Sequence, residues 1–189
     1  MNVPLLFWAT EVTGDPKYRE VATKHINTAA SVVVRDDSST HHTFFFDPET
    51  GKPTKGVTAQ GASDESAWAR GQAWGVYGFP LAYSYLKDEK FVTLFKRVTN
   101  YFLNKLPADS VCYWDLMFDD NSGEERDTSA AAIAVCGMLE MLKYLPDTDP
   151  DKQIYKNAVN TITKPLIEKY TTKDLEYSKG LLTQAVYSN

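Results

Sequence analysis

The sequence is short of cysteine, of basic surplus and of long apolar runs, and each shortage removes a class of protein. Its two cysteines, Cys112 and Cys136, cannot build a disulfide framework, and no metal-ligand spacing surrounds them. Lys and Arg number 20 against 25 Asp and Glu, a net charge of −5 without a basic cluster. A nucleic-acid backbone is therefore not an expected partner. No apolar run approaches the roughly 20 residues that span a bilayer, so a membrane is not an expected partner either. The N-terminus has no basic stretch followed by a long apolar one; no signal peptide is visible, which favours the cytoplasm. There are three histidines and no further ligands at zinc-site spacing, so no metal and no cofactor are expected.

What remains is an ordinary soluble composition, 43% hydrophobic and 24% charged over 189 residues, sized for one domain or two small ones. Its unusual feature is aromatic content: four Trp, eleven Tyr and nine Phe, 13% of the chain. Such a chain either packs an aromatic core or presents flat rings to a ligand.

The strongest pattern is helical. Asp15-Pro16 reads as an N-cap with proline at the first helical position, where its missing N–H costs nothing. Tyr18, Val21, Ala22, His25, Ile26 and Ala29 follow at three- and four-residue spacing. A second such segment starts at Asp88 and carries Phe91, Leu94, Phe95, Val98, Tyr101, Phe102 and Leu106. A third starts near Asp149-Pro150 with Ile154, Tyr155, Ala158, Val159, Ile162 and Leu166, and Pro165 is expected to kink or shorten it. Each amphipathic segment follows one rich in Ala, Gly and aromatics and nearly free of charge: Asn2–Val12, Ser66–Leu86 and Thr128–Leu145. The pairing predicts a repeated αα-hairpin, one buried helix and one half-exposed, in an all-α toroid or, equally on periodicity alone, an ordinary bundle.

Two long non-helical arms separate the repeats. Arg35–Ser63 holds the β-rich run His41–Phe46 and the turn sequence Asp47-Pro48-Glu49-Thr50-Gly51, which predict a small hairpin. Asp109–Asp127 holds Tyr113-Trp114-Asp115 and an acidic loop. Arms this long inside a compact domain are usually functional or disordered, and the aromatics and histidines favour function.

Ser66-Ala67-Trp68-Ala69-Arg70-Gly71-Gln72-Ala73-Trp74-Gly75-Val76-Tyr77-Gly78 is the most informative stretch, with Asp64 placed to start its helix. Glycine inside a helix costs about 1 kcal/mol relative to alanine, so three of them need a reason. On a helical wheel Ala67, Arg70, Gly71, Trp74, Gly75 and Gly78 share a face, bare except for one guanidinium and one indole. A cation beside a flat ring suits a carboxylated sugar, by bidentate bonds to the carboxylate and stacking on the ring. The competing account is close helix packing with Arg70 paired to a buried acid such as Asp64 or Asp127.

Strand alternation puts His42 on a face with Phe44 and Phe46, and His41 with Thr43 and Phe45, so that one imidazole could reach a pocket as a donor. A histidine among aromatics is more often structural. Asp64, Asp115 and Asp127 are candidate carboxylates; Asp64 and Asp127 also suit helix capping, and Asp115 could line a mouth or bind loop amides. Their spacing identifies no acid/base pair.

With these residues in hand the chain resembles the unsaturated glucuronyl hydrolases, glycoside hydrolase family 88. The matching stretches run in family order from end to end. They are Asn2-Val3-Pro4-Leu5-Leu6-Phe7-Trp8-Ala9; Phe46 to Gly51; Gln60-Gly61 with Asp64–Tyr77; Arg126 to Ala134; and Gly180-Leu181-Leu182 with Val186-Tyr187. The Trp68–Trp74 block is the most specific, and less like the related unsaturated rhamnogalacturonyl hydrolases. The resemblance implies an (α/α)6 barrel of six hairpins. This chain would cover about half of it as a partial catalytic domain, residues 1–189, with no separate second domain. It also implies a substrate, an oligosaccharide left by a polysaccharide lyase with a C4=C5 double bond in its terminal uronic acid. An aspartic acid protonates that vinyl ether at C4, water adds at C5, and the hemiketal opens to release the sugar.

Residue by residue, the resemblance places the family's substrate-binding positions on His42, Gln60, Arg70, Trp74 and Tyr187. The family's catalytic aspartate lies just before the segment matching Asn2, where this chain has only Met1. The resemblance therefore predicts an internal piece of a longer enzyme, catalytically inactive by itself. The alternative is a carbohydrate-binding or scaffold remnant without activity. The open sides of inner helices would favour self-association.

Overall fold

The computed structural model describes residues 2–186, which form six helices and one two-stranded hairpin. The helices pair as the repeat predicts. α1 (Val3–Thr13) packs on α2 (Pro16–Val33), α3 (Ala69–Leu86) on α4 (Lys90–Asn104), and α5 (Thr128–Leu142) on α6 (Pro150–Lys169). α3 lies between α1 and α5, so the apolar helices form an inner row and the amphipathic ones an outer row.

Local chemistry sets most of the boundaries. Asp15 accepts from the Lys17 N–H at 2.9 Å ahead of Pro16, and Asp149 accepts from the Asp151 N–H at 2.9 Å ahead of Pro150. Asp127 caps α5 through the Ser129 and Ala130 N–H groups at 3.1 and 3.2 Å. Gly14, left-handed at φ 73°, stops α1 by giving its N–H to the Thr10 carbonyl at 2.8 Å. α6 continues past Pro165 to Lys169, so the proline does not shorten it; Pro165 is buried with Ile162 and Leu166, and that packing outweighs the lost backbone bond.

The largest departure from the sequence reading is the start of α3. Asp64 does not cap it and Ser66 is not in it. The Ala69 N–H goes to the Trp114 carbonyl at 3.0 Å and the Leu116 N–H to the Ala67 carbonyl at 2.9 Å. Ala67 and Trp68 are therefore held against the second arm, and helix begins only at Ala69.

The main core fills the seam between α3, α4, α5 and α6. Phe91, Phe95, Val98 and Phe102 meet Val76 and Phe79 on one side and Met138, Met141 and Tyr155 on the other, all buried. Gly137 lets α5 approach α3 most closely; a Cβ there would stand 2.5 Å from the Val76 carbonyl oxygen. A smaller cluster of Val3, Phe7 and Ala22 joins α1 to α2, with Phe7 stacked on Tyr85 at 4.7 Å.

The turns within each hairpin are short, while the long arms leave the C-terminal ends of α2 and α4 and enter the N-terminal ends of α3 and α5. Both arms thus gather at one end of the inner row. The first arm carries β1 (Thr43–Phe46) and β2 (Pro53–Val57), antiparallel from Thr43 opposite Val57 to Phe46 opposite Pro53. Asp47 closes the turn by accepting from the Glu49 and Thr50 N–H groups, and Gly51 supplies a φ of 66°. His41 and His42 precede the strand, and a bend at His42 ends the alternation expected of them.

Candidate functional site

A cavity of about 450 Å³ opens where the first arm crosses α3. His42 and Gln60 from the arm and Trp74 from α3 all line it. Trp74 is 37% exposed, and Gly71, Gly75 and Gly78 form the helix surface beside it. Two parts of the chain, the first arm and α3, thus bring together three residues expected to bind sugar. Tyr187, the fifth of that set, lies outside the described residues.

Arg70 is placed differently. It does not line the cavity but turns to Asp127, with Nε–Oδ2 at 3.1 Å and Nη2–Oδ2 at 3.0 Å, and Nη2 also donates to the Val186 carbonyl. Its side chain is only 15% exposed and that of Asp127 fully buried, so this is an enclosed ion pair that also caps α5. The guanidinium carbon lies 5.4 Å from the Trp68 ring. The pairing of Arg70 with a buried acid, the competing account of this helix, is thus present next to the cavity rather than instead of it.

His42 is fixed by its Nδ1, which accepts from the Ala59 and Gln60 N–H groups at 3.1 and 3.3 Å. An Nδ1 that accepts leaves the ring proton on Nε2. Burial holds the imidazole below the ordinary histidine pKa, so it is a neutral donor. Its ring lies 4.4 Å from that of Trp68, which also lines the cavity.

The residues from Thr58 to Ser66, which carry Gln60, are anchored from below by Asp115. This buried carboxylate accepts from the Ala62 N–H at 3.0 Å, the Ser66 hydroxyl at 2.6 Å and the Met117 N–H at 3.1 Å. It binds loop amides and does not line the mouth. Gly61 is required there, because a Cβ would fall 2.6 Å from the Thr58 hydroxyl and 3.0 Å from Asp115 Oδ2. Asp64 accepts from the Thr58 N–H at 2.8 Å, and that bond, then Lys55, holds its carboxyl below the usual range. None of Asp64, Asp115 and Asp127 lines the cavity.

Sequence reasoning missed Trp68, Thr40 and His41 in the cavity wall. Trp68 had a signal in the Trp68–Trp74 block; Thr40 and His41 reach the wall only through the bend that precedes β1. Among the described residues no three His, Cys, Asp or Glu side chains gather closely enough to hold a metal ion, and no helix is long and apolar enough to cross a membrane.

Comparison with known proteins gives the family. Residues 1–139 match Glycosyl Hydrolase Family 88. The unsaturated chondroitin disaccharide hydrolase of Streptococcus agalactiae is 61% identical over 188 residues, 100% of this chain and 47% of that protein. The unsaturated glucuronyl hydrolase of Bacillus sp. (strain GL1) is 42% identical over 187 residues, 99% of this chain and 50% of that protein. The chain spans about half the length of the curated relatives it matches. Among solved structures, the unsaturated glucuronyl hydrolase of S. agalactiae superposes with a TM-score of 0.96 over 99% of this chain and 47% of that one. A mutant of that enzyme complexed with dGlcA-GalNAc6S, also 61% identical, gives 0.90 over 99% of this chain and 50% of that one.

Proposed function

Because this chain belongs to glycoside hydrolase family 88, we propose that its cavity binds the 4,5-unsaturated uronic acid at the non-reducing end of an oligosaccharide, within an unsaturated glucuronyl hydrolase. The observation that carries this reading is the convergence of His42, Gln60 and Trp74 on one cavity beside Trp68. The indole of Trp74 offers a stacking surface for the sugar ring, and His42 offers a neutral Nε2–H to one of its oxygens. Arg70, held to Asp127 and Val186 through Nε and Nη2, contributes positive charge from beside Trp68 to the proposed set. Tyr187 completes the proposed set.

The six helices here are three of the six hairpins of the family's (α/α)6 barrel, and residues 1–189 are read as part of one catalytic domain. In the hydration, a carboxylic acid delivers a proton to C4 while water adds its oxygen to C5, giving a hemiketal that opens and releases the rest of the oligosaccharide. Asp64, Asp115 and Asp127 are all committed to holding loops and helix ends. The acid is assigned to the family's aspartate before the segment that matches Asn2.

Calorimetric titration with an unsaturated chondroitin disaccharide tests the reading, with Trp74→Ala and His42→Ala each expected to weaken binding at least tenfold. No binding at millimolar sugar would refute the site. Loss of the double-bond ultraviolet absorbance at an enzymatic rate would refute the assignment of the acid. We also propose that the chain self-associates through α1, where Leu5, Trp8 and Val12 are exposed.

A further inference from the structure

We infer that His41 is a second hydrogen-bond donor of this sugar site, presenting its Nε2–H to an oxygen of the same ligand that His42 contacts. The inference rests on the reading of the cavity given above and adds a residue to it. Both imidazoles line the cavity, and both are held from behind by the same ring nitrogen. Arg35 Nε donates to His41 Nδ1 at 3.2 Å. Arg35 is itself fixed, Nη1 to the Ser39 hydroxyl and the Ser66 carbonyl at 2.9 and 3.0 Å, and Nη2 to the Asp64 carbonyl at 2.7 Å. A guanidinium always donates, so His41 Nδ1 must accept and the proton must sit on Nε2.

The ring has little freedom. It lies over Gly56 of β2, where a Cβ would come within 2.3 Å of Nδ1, 2.5 Å of Cε1 and 2.5 Å of Cγ. Phe44 meets it edge-on with centroids 5.5 Å apart. The Nδ1 edge is thus packed against the hairpin and Arg35, and the opposite edge, Nε2 and Cδ2, is the one left for the cavity. Among the described residues no hydrogen bond is made to Nε2. Two neutral donors on consecutive residues, each locked in one tautomer before the ligand arrives, suit adjacent oxygens of one sugar and avoid the reorganisation cost of free side chains.

A purely structural His41, serving only to clamp the hairpin, makes different predictions. His41→Phe keeps a ring over Gly56 but removes the donor. His41→Gln places an amide N–H near Nε2. With an unsaturated chondroitin disaccharide as the probe in calorimetric titration, Phe should weaken binding about tenfold and Gln should restore it to within about threefold of the native chain. Native-like binding by His41→Phe, while His42→Ala loses binding, overturns the inference and leaves the cavity reading intact. Equal weakening by Phe and Gln also overturns it, since a clamp and not a donor was then lost. Failure of the native chain to bind removes the cavity reading and this inference together. Independently of sugar, nitrogen-15 spectra of the His41 ring should show the Nε2–H tautomer; a proton on Nδ1 refutes the proposed donor whatever the binding data.

Discussion

His41 and His42 occupy settings that oppose their protonation, and this has a consequence for stability. Burial lowers both pKa values below the ordinary 6.5, and for His41 the Arg35 charge adds to it, only partly offset by Glu65, Asp37 and Asp64. On acidification the unfolded chain therefore takes up these protons first. Stability from the neutral imidazoles is complete above about pH 6.5 and is lost as the pH falls through the lowered values. Carboxylates titrate nearer pH 4, so the two losses separate. The urea midpoint should fall between about pH 7 and pH 5, and the His41→Gln/His42→Gln double variant should show a smaller fall; an unchanged fall would mean that these rings are not held neutral. The enclosed Arg70–Asp127 pair gives a second test. Asn caps a helix about as well as Asp, so Asp127→Asn isolates the loss of the ion pair and should cost about 3 kcal/mol in urea unfolding. Adding Arg70→Met should recover part of that cost, because the stranded cation is then gone. A second substitution whose cost simply adds would show that the pair is not coupled.

At the scale of elements, the glycines of the inner row do unlike jobs. Gly137→Ala gains about 1 kcal/mol of helix propensity. Against that, its methyl would press on the Val76 carbonyl, backbone that cannot rotate away, at 2.5 Å. α5 must then shift from α3, and overpacking of this kind costs more than the gain, so net destabilisation of about 2 kcal/mol is expected. Gly75→Ala is the control: its Cβ meets Thr40, Val98 and Phe79 at 3.7–3.8 Å, ordinary contacts, so thermal unfolding should show the fold unchanged or slightly firmer. Destabilisation by both would refute the distinction. The alternation of apolar and amphipathic helices, their caps at Asp15, Asp127 and Asp149, and the 43–57 hairpin were legible because each is written in local spacing. The start of α3 was not, because residues 67–69 are held by Trp114 and Leu116, a pairing distant in sequence. The same limit hid His41: alternation gave only one imidazole to the pocket, whereas the bend at His42 and the Arg35 bond bring both.

For the molecule as a whole, the inner row has two open ends among the described residues, and the α1 end is the more apolar. α3 is flanked by α1 and α5, but α1 has α3 on one side and no inner helix on the other among the described residues. Val3 and Phe7 turn into the small cluster with Ala22, whereas Leu5, Trp8 and Val12, spaced as one helical face, are 63%, 53% and 63% exposed. Val21 of α2, 55% exposed, extends this face. Three large apolar side chains aligned on one helix are more than the scattered exposure normal for a soluble surface, and burying each would contribute on the order of 1.5–3 kcal/mol. A two-fold axis would close the contact without leading to open filaments. Light scattering should therefore give a mass that rises with concentration toward twice that of the chain. Leu5→Glu with Trp8→Glu should restore the monomer while leaving the far-ultraviolet circular dichroism unchanged, because neither side chain belongs to the buried cluster. A native chain that is monodisperse and monomeric throughout would show that this face stays in water.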